Sequence, residues 1–130
     1  MVLEAAKGTN IQLFVSTFYQ EGGNPEFDAG IKAYINGNST AKDANGGNDT
    51  ISAVTAMGYD AYYVALEAMK AAGSVEPEAI KAALGSVTYT GVSGDIAFDE
   101  VGDAIRDTAY IKTANTADGT WTLETVQKAN

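Results

Sequence analysis

Residues 51–73 constrain the chain more than any other stretch. Apolar or small side chains recur at Ile51, Val54, Gly58, Ala61, Ala65, Met69 and Ala72, in steps of three and four that place them on one face of a helix. Met57, Tyr62 and Leu66 widen that stripe beyond the roughly 100° of a helix lying on an ordinary surface. Asp60, Glu67 and Lys70 are the only charges in the stretch. A helix so poor in charge needs cover on more than one side, so residues 51–72 are expected to form the central core helix. Gly73 stands where it should stop, because glycine enters the left-handed C-terminal cap without a Cβ penalty.

The flanking segments supply what such a helix packs against. Residues 1–7 read as the last turns of a helix closed by Gly8, with no basic start leading into an apolar run. An exported protein would therefore contain this chain as a piece. Residues 11–19 are rich in β-branched and aromatic side chains and predict a strand, apolar enough to be covered on both faces. Asn24, Pro25 and Glu26 make a helix start of N-cap, first-position proline and acidic first turn. Phe27, Ile31, Tyr34 and Ile35 form its expected buried stripe, and Gly37 ends it. Residues 38–50 carry no large apolar side chain and read as a solvated loop ending in an N-cap at Asp49 or Thr50. After the central helix, Pro77 and Glu78 open another, with Ala79, Ile80, Ala83 and Leu84 inward and Gly85 closing it. The period then changes from helix to strand. Residues 88–92 lead to 94–98, with Ile96 and Phe98 on one face; 99–103 form a turn, and strands over 108–112 and 121–126 flank a second turn. The order predicts a mixed α/β chain.

Composition excludes several chemistries. The 130 residues contain no cysteine and no histidine, which removes disulfides, thiolate nucleophiles and the commonest general base. A net charge of −9 with eight basic residues opposes binding to nucleic acid or to an anionic membrane surface. No residue set predicts a metal site or cofactor. Asp43, Asn45 and Asn48 lack the spacing and the bidentate glutamate of an EF-hand loop. The carboxylates of Asp95, Asp99, Glu100 and Asp103 cluster in sequence as glycosidase pairs do, but on a strand end and a turn that normally face water. Gly91-Val92-Ser93-Gly94 reads as a turn before a strand rather than a phosphate loop. Tyr59, Tyr62 and Tyr63 lie at helical spacing that suits core and rim packing. The chain is not expected to be an enzyme.

Several motifs then fall in a familiar order: Phe18-Tyr19, Asn24-Pro25-Glu26-Phe27, Gly58-Tyr59-Asp60-Ala61, and Glu76-Pro77-Glu78-Ala79-Ile80 with Ala83-Leu84. The last runs from Gly91-Val92-Ser93-Gly94-Asp95-Ile96-Ala97-Phe98 through Asp99-Glu100-Val101-Gly102-Asp103. Over residues 2–126 this resembles the C-terminal third of the substrate-binding proteins of ABC transporters for branched-chain amino acids, the Leu/Ile/Val type. The resemblance implies a fragment of the type I periplasmic-binding fold, two α/β lobes joined by a hinge and closing on a solute. Residues 1–23 would be the last helix and strand of the second lobe with a hinge crossing, 24–98 a first-lobe segment, and 99–130 a hairpin region returning to the second lobe. It implies Tyr19 at the hinge and Ser52, Ala53 and Val54 at the helix start as ligand-binding residues, with most contacts to the amino acid's charged groups coming from an earlier part of such a chain. Val54 stands where the family commonly carries an aromatic, a departure that bears on which amino acid is bound. The implied partners are a small-molecule solute and an ABC permease, and the implied location of the parent is extracytoplasmic. Separated from the rest of two lobes, the 11–17 strand and the central helix are expected to expose apolar surface, and the chain to form an oligomer or swapped dimer. A stand-alone, self-associating surface or structural domain without ligand binding is the alternative reading; a carboxylate hydrolase ranks last.

Overall fold

The computed structural model describes residues 2–128. In chain order the elements are α1 (Val2–Ala6), β1 (Phe14–Thr17), α2 (Pro25–Gly37), α3 (Ser39–Ala44), α4 (Ala53–Ala72) and α5 (Pro77–Leu84). They are followed by β2 (Tyr89–Gly91), β3 (Gly94–Phe98), β4 (Ala104–Ile105), β5 (Thr108–Asn115) and β6 (Thr120–Lys128). They fall into two compact units. One comprises the chain up to Gln20 together with the chain from Asp107 onward; the other is Glu21–Arg106.

The first unit is a three-stranded antiparallel sheet in the order β1-β5-β6. β1 pairs with β5 from Phe14 opposite Thr113 to Thr17 opposite Tyr110. The β5–β6 hairpin carries a register irregularity between Ile111 and Lys112. α1 is tied to this hairpin by the Gly8 N–H, which donates to the Thr116 carbonyl at 2.8 Å. Met1, which the sequence places in this helix, lies outside the described residues. The expectation for residues 11–19 is corrected twice. The strand is only four residues long, and it is not covered on both faces: Phe14 is 53 % and Val15 40 % exposed. Successive side chains of a strand point to opposite faces, so these two show that neither face is closed. The reason is that β1 is an edge strand, with β5 on one side and no further strand among the described residues on the other.

The second unit is built around α4. Its buried side chains are Ala56, Asp60, Val64 and Ala68, four apart along one line. This corrects the predicted stripe, since Val54 is 76 % exposed and Tyr62 also faces out. Apolar side chains lie all round this helix, so period alone did not select the buried face; the packing partners did. Val64 and Ala68 join Val87 and Ile96 in a core against which Ile80, Leu84, Tyr89 and Phe98 pack, each large side chain contributing about 1.5–3 kcal/mol when fully buried. β2, β3 and β4 form a small antiparallel sheet whose middle strand supplies Ile96 and Phe98.

The termini of the helices follow the local chemistry of the sequence. Asn24 caps α2 by accepting from the Phe27 N–H at 3.0 Å, with Pro25 in the first turn. Gly73 ends α4 in the left-handed region, φ 59°. Three expectations change. The N-cap of α4 is Ser52, not Asp49 or Thr50, because Ser52 Oγ accepts from the Thr55 N–H. Residues 38–50 are not loop throughout: Asn38 caps α3 through the Ala41 N–H at 3.0 Å, and a polar helix with no buried residue leaves no hydrophobic period to read. Tyr34 on α2 is 64 % exposed rather than buried.

We expect Ile96→Ala to destabilise the chain by about 2–5 kcal/mol and Val54→Ala to change stability by no more than about 0.5 kcal/mol. Urea midpoints of the two variants check the displaced face of α4; a large loss at Val54 would restore the predicted stripe.

Candidate functional site

Two sets of contacts determine how the start of α4 is presented. The first is centred on Glu21, whose carboxylate forms an ion pair with Lys32 of α2 and accepts the Ile51 N–H at 3.4 Å. The hydrogen bond with Glu21, ahead of the electrostatic attraction, raises the Lys32 pKa. One side chain thus joins the beginning of the second unit to α2 and to the residue that precedes the α4 cap. Gly22 N–H adds a 2.6 Å bond to Asp28 Oδ2. Behind Ile51, Asp49 accepts from Asn36 Nδ2 at 2.9 Å, and this bond leads the causes that lower its pKa.

The second set is centred on Asp60, fully buried in the middle of α4. Its Oδ1 accepts the Val92 N–H at 2.9 Å, and its Oδ2 accepts the Ser93 N–H at 2.8 Å and the Ser93 hydroxyl at 2.5 Å. Arg106 Nη1 donates to the Ser93 carbonyl at 3.0 Å, and both terminal nitrogens reach Ser93 Oγ. The carboxylate therefore sits in the tight turn between β2 and β3, with a guanidinium beyond the serine. A buried carboxylate is tolerable only with such partners. The turn must come very close to receive it: a Cβ on Gly91 would overlap the Asp60 carboxylate. The Ser93 hydroxyl is thus engaged by both Asp60 and Arg106.

An aromatic row runs beside this anchor. Phe27 of α2 meets Tyr59 edge-on at 5.0 Å between ring centroids, Tyr59 meets Tyr63 at 5.0 Å, and Tyr63 stacks on Tyr89 of β2 at 6.0 Å. The Tyr59 hydroxyl donates to the Tyr63 hydroxyl at 3.3 Å, and that bond, followed by burial, pushes the Tyr59 pKa up to about 12. Burial first and the Asp60 charge second raise that of Tyr89. Between α2 and α4 this row leaves an open hollow of ≈ 430 Å³ bounded by Phe27, Ile31, Tyr59 and Val92, with Asn24 and Glu26 at its polar side. A second hollow of ≈ 290 Å³, between α4, α5 and β3, is lined by apolar side chains such as Met57, Ile80 and Phe98, with Arg106 at its edge. The first is within the size range of small-molecule sites; the second suits an aliphatic or aromatic group.

Of the residues singled out from sequence, Ser52, Ala53 and Val54 lie together on the first turn of α4. Ser52 is used as the cap, Ala53 is half-buried, and Val54 projects into solvent. They do not line either hollow. Tyr19 is buried and belongs to the other unit, two residues before Glu21. Sequence reasoning missed Asp60 and Arg106 as a linked pair, because they are far apart in the chain. The only signals were an aspartate inside a helix poor in charge and two glycines bracketing a turn.

Comparison with known proteins adds the following. The profile described as periplasmic binding protein matches residues 2–120. Among solved structures, the chain is similar to the crystal structure of a leucine-binding protein, LivK, from Thermotoga maritima, with 30 % identity and a TM-score of 0.62. That likeness covers 96 % of this chain and 32 % of the other, so the chain spans about a third of the length of the structure it matches. No curated protein matches.

Asp60→Asn should destabilise the chain by about 1–3 kcal/mol, since one carboxylate oxygen becomes an NH2 group facing a buried N–H that loses its acceptor. Gly91→Ala should cost about 1–3 kcal/mol through overlap with the same carboxylate. Denaturant titration reads both, and wild-type stability in either would remove Asp60 as the anchor. In alkaline spectrophotometric titration, the Tyr59 phenol should ionise near 12 rather than near the ordinary 10, and Tyr63→Phe should bring it back down. Because the folded value is the higher one, the stability it contributes is complete below pH 10 and is lost as pH rises toward 12.

Proposed function

Because the chain belongs to the periplasmic binding protein family, we propose that it is part of the solute-binding component of an ABC importer that takes a branched-chain amino acid or a similar small molecule. The observation that carries this reading is the 30 % identity to a leucine-binding protein across 96 % of the chain. In this reading residues 24–98 belong to one lobe, and 1–23 with 99–130 to the other. The compact units, Glu21–Arg106 and the remainder, follow the same order of segments but keep residues 21–23 and 99–106 with the 24–98 segment. Tyr19 stands at a crossing between lobes, and Ser52, Ala53 and Val54 form the lip that meets the solute. The Glu21 contacts to Lys32 and Ile51 support a fixed lip, and the exposure of Val54 leaves it available to a ligand. The parent protein works outside the cytoplasm and delivers its solute to a permease. No helix among the described residues is long and apolar enough to cross a membrane.

A self-associating domain is the second reading, favoured by the exposure of Ile11, Phe14, Val15 and Phe18 around β1 and by the apolar hollow beside α5. Burial against a second copy is one way in which exposed apolar side chains of this kind are covered. The second reading differs from the first in that the domain stands alone and takes no ligand, and each has its own measurement.

Leucine, isoleucine and valine titrated calorimetrically into the complete gene product should show saturable binding by at least one. Val54→Asp should weaken it by about tenfold or more, since a carboxylate at an apolar contact must be desolvated without a partner. Binding of none of the three would reject the amino-acid assignment. Light scattering on the 130-residue chain should report a dimer or larger, whatever amino acid is present; a monodisperse monomer would reject self-association.

A further inference from the structure

The dipeptide Asn-Gly occurs twice, at Asn36-Gly37 and Asn45-Gly46. Glycine leaves its amide nitrogen unshielded, so that nitrogen can attack the carboxamide carbon of the preceding asparagine. In that reaction the bond from the glycine nitrogen to Cγ forms, the Cγ–Nδ2 bond breaks, and ammonia leaves with the proton of the glycine N–H. Water then opens the cyclic imide at either carbonyl to give aspartate or isoaspartate. No oxidant, reductant or cofactor enters.

The structure treats the two sites differently. Asn36 lies in the last turn of α2, which ends at Gly37, so ring closure requires unwinding a helix end. Its carboxamide is also held by side chains outside that turn, donating to Asp49 at 2.9 Å and accepting from Lys42 Nζ at 3.0 Å. Asn45 follows α3 as its C-cap, φ −88° and ψ 18°, and Gly46 has left the helix with φ 74°. The Asn45 Nδ2 donates to the carbonyls of Asn48 and Thr50, both at 3.0 Å. These two carbonyls belong to the very loop that Asn45 closes. Gly46, Gly47, Asn48 and Thr50 are all exposed, and the loop places no apolar side chain in the core. A segment with so little buried opens locally at low free-energy cost, and its opening releases both restraints on the amide together.

We propose that Asn45 is a site of spontaneous deamidation, converting ahead of Asn36, and that its amide is the latch of the 46–50 loop. The product replaces a group that donates two hydrogen bonds with a carboxylate facing two carbonyl oxygens. The loop then loses the two bonds that span it, to the Asn48 and Thr50 carbonyls, immediately before Ile51 and the Ser52 cap of α4, and is left with the bonds around Gly46, Gly47 and Asn48 and that of Asp49 to Asn36. Conversion also makes the chain more negative by one charge.

The test holds the purified chain in mildly alkaline buffer and follows it by peptide mapping with mass spectrometry. Cleavage at Lys32, Lys42 and Lys70 puts Asn36 and Asn45 on different peptides, and fragmentation separates Asn45 from Asn48. Asn45 should convert about tenfold faster than Asn36 or more, a ratio equivalent to about 1.4 kcal/mol in opening free energy. A parallel sample in urea should show the two rates converge. Equal rates in the folded chain, Asn36 converting first, or a ratio that urea leaves unchanged would each overturn the assignment. Asn45→Gln, which keeps an amide but does not close the same ring, should abolish the signal at that position. Asn45→Asp should speed hydrogen exchange across residues 46–51 without changing exchange in α5 and β3; unchanged exchange in the loop would overturn the latch.

Discussion

The second unit depends on a carboxylate placed where solvent does not reach. Asp60 is held in the middle of α4 by the N–H groups of Val92 and Ser93 and by the Ser93 hydroxyl. A buried charge is costly without partners, and removing its partners costs far more than their net contribution when present. The requirement propagates in both directions. It fixes which face of α4 turns inward, putting Val64 and Ala68 against Val87 and Ile96. It also fixes the approach of the β2–β3 turn, which in turn demands a residue without a Cβ at position 91.

The same network reaches the end of the unit. Arg106, the last residue before the chain leaves for β5, is tied to Ser93 and so to Asp60. At the other end Glu21 is tied to Lys32 and to the Ile51 N–H. Both places where the chain enters or leaves this unit are therefore marked by a charged side chain holding onto its interior. Within the unit, the Glu21 contacts tie the start of α4 to α2. The polar loop before α4 is held by hydrogen bonds rather than by packing, two of them from the Asn45 amide.

Apolar surface left open completes the picture. β1 carries Phe14 and Val15 on opposite faces, both exposed, at one edge of its sheet. The hollow between α4, α5 and β3 is lined by residues that elsewhere would be core. These surfaces agree with a chain that spans about a third of the length of the structure it resembles. Residues 11–19 have the composition of a covered strand, yet β1 stands at the edge of its sheet among the described residues, with Phe14 and Val15 open to solvent.

Local chemistry determined what the sequence could determine by itself. Asn24 with Pro25, Pro77 with Gly85, and Gly73 mark helix ends through local chemistry, and the alternation around Ile96 and Phe98 marks a strand through its own period. The order of motifs carried the family, and it carried Tyr19, Ser52, Ala53 and Val54 as expected ligand-binding residues. Tertiary structure alone decided the rest. The inward face of α4 was not legible, because apolar side chains surround that helix and the deciding residue is polar. Asp60 and its partners at 92, 93 and 106 were not legible as a group, because the contact spans more than thirty positions and leaves no periodic trace. α3 was hidden because a short, solvated helix held by an Asn38 cap has no hydrophobic pattern. Short-range geometry is written in neighbouring residues; the choice of which face to bury is made only when distant donors and acceptors meet.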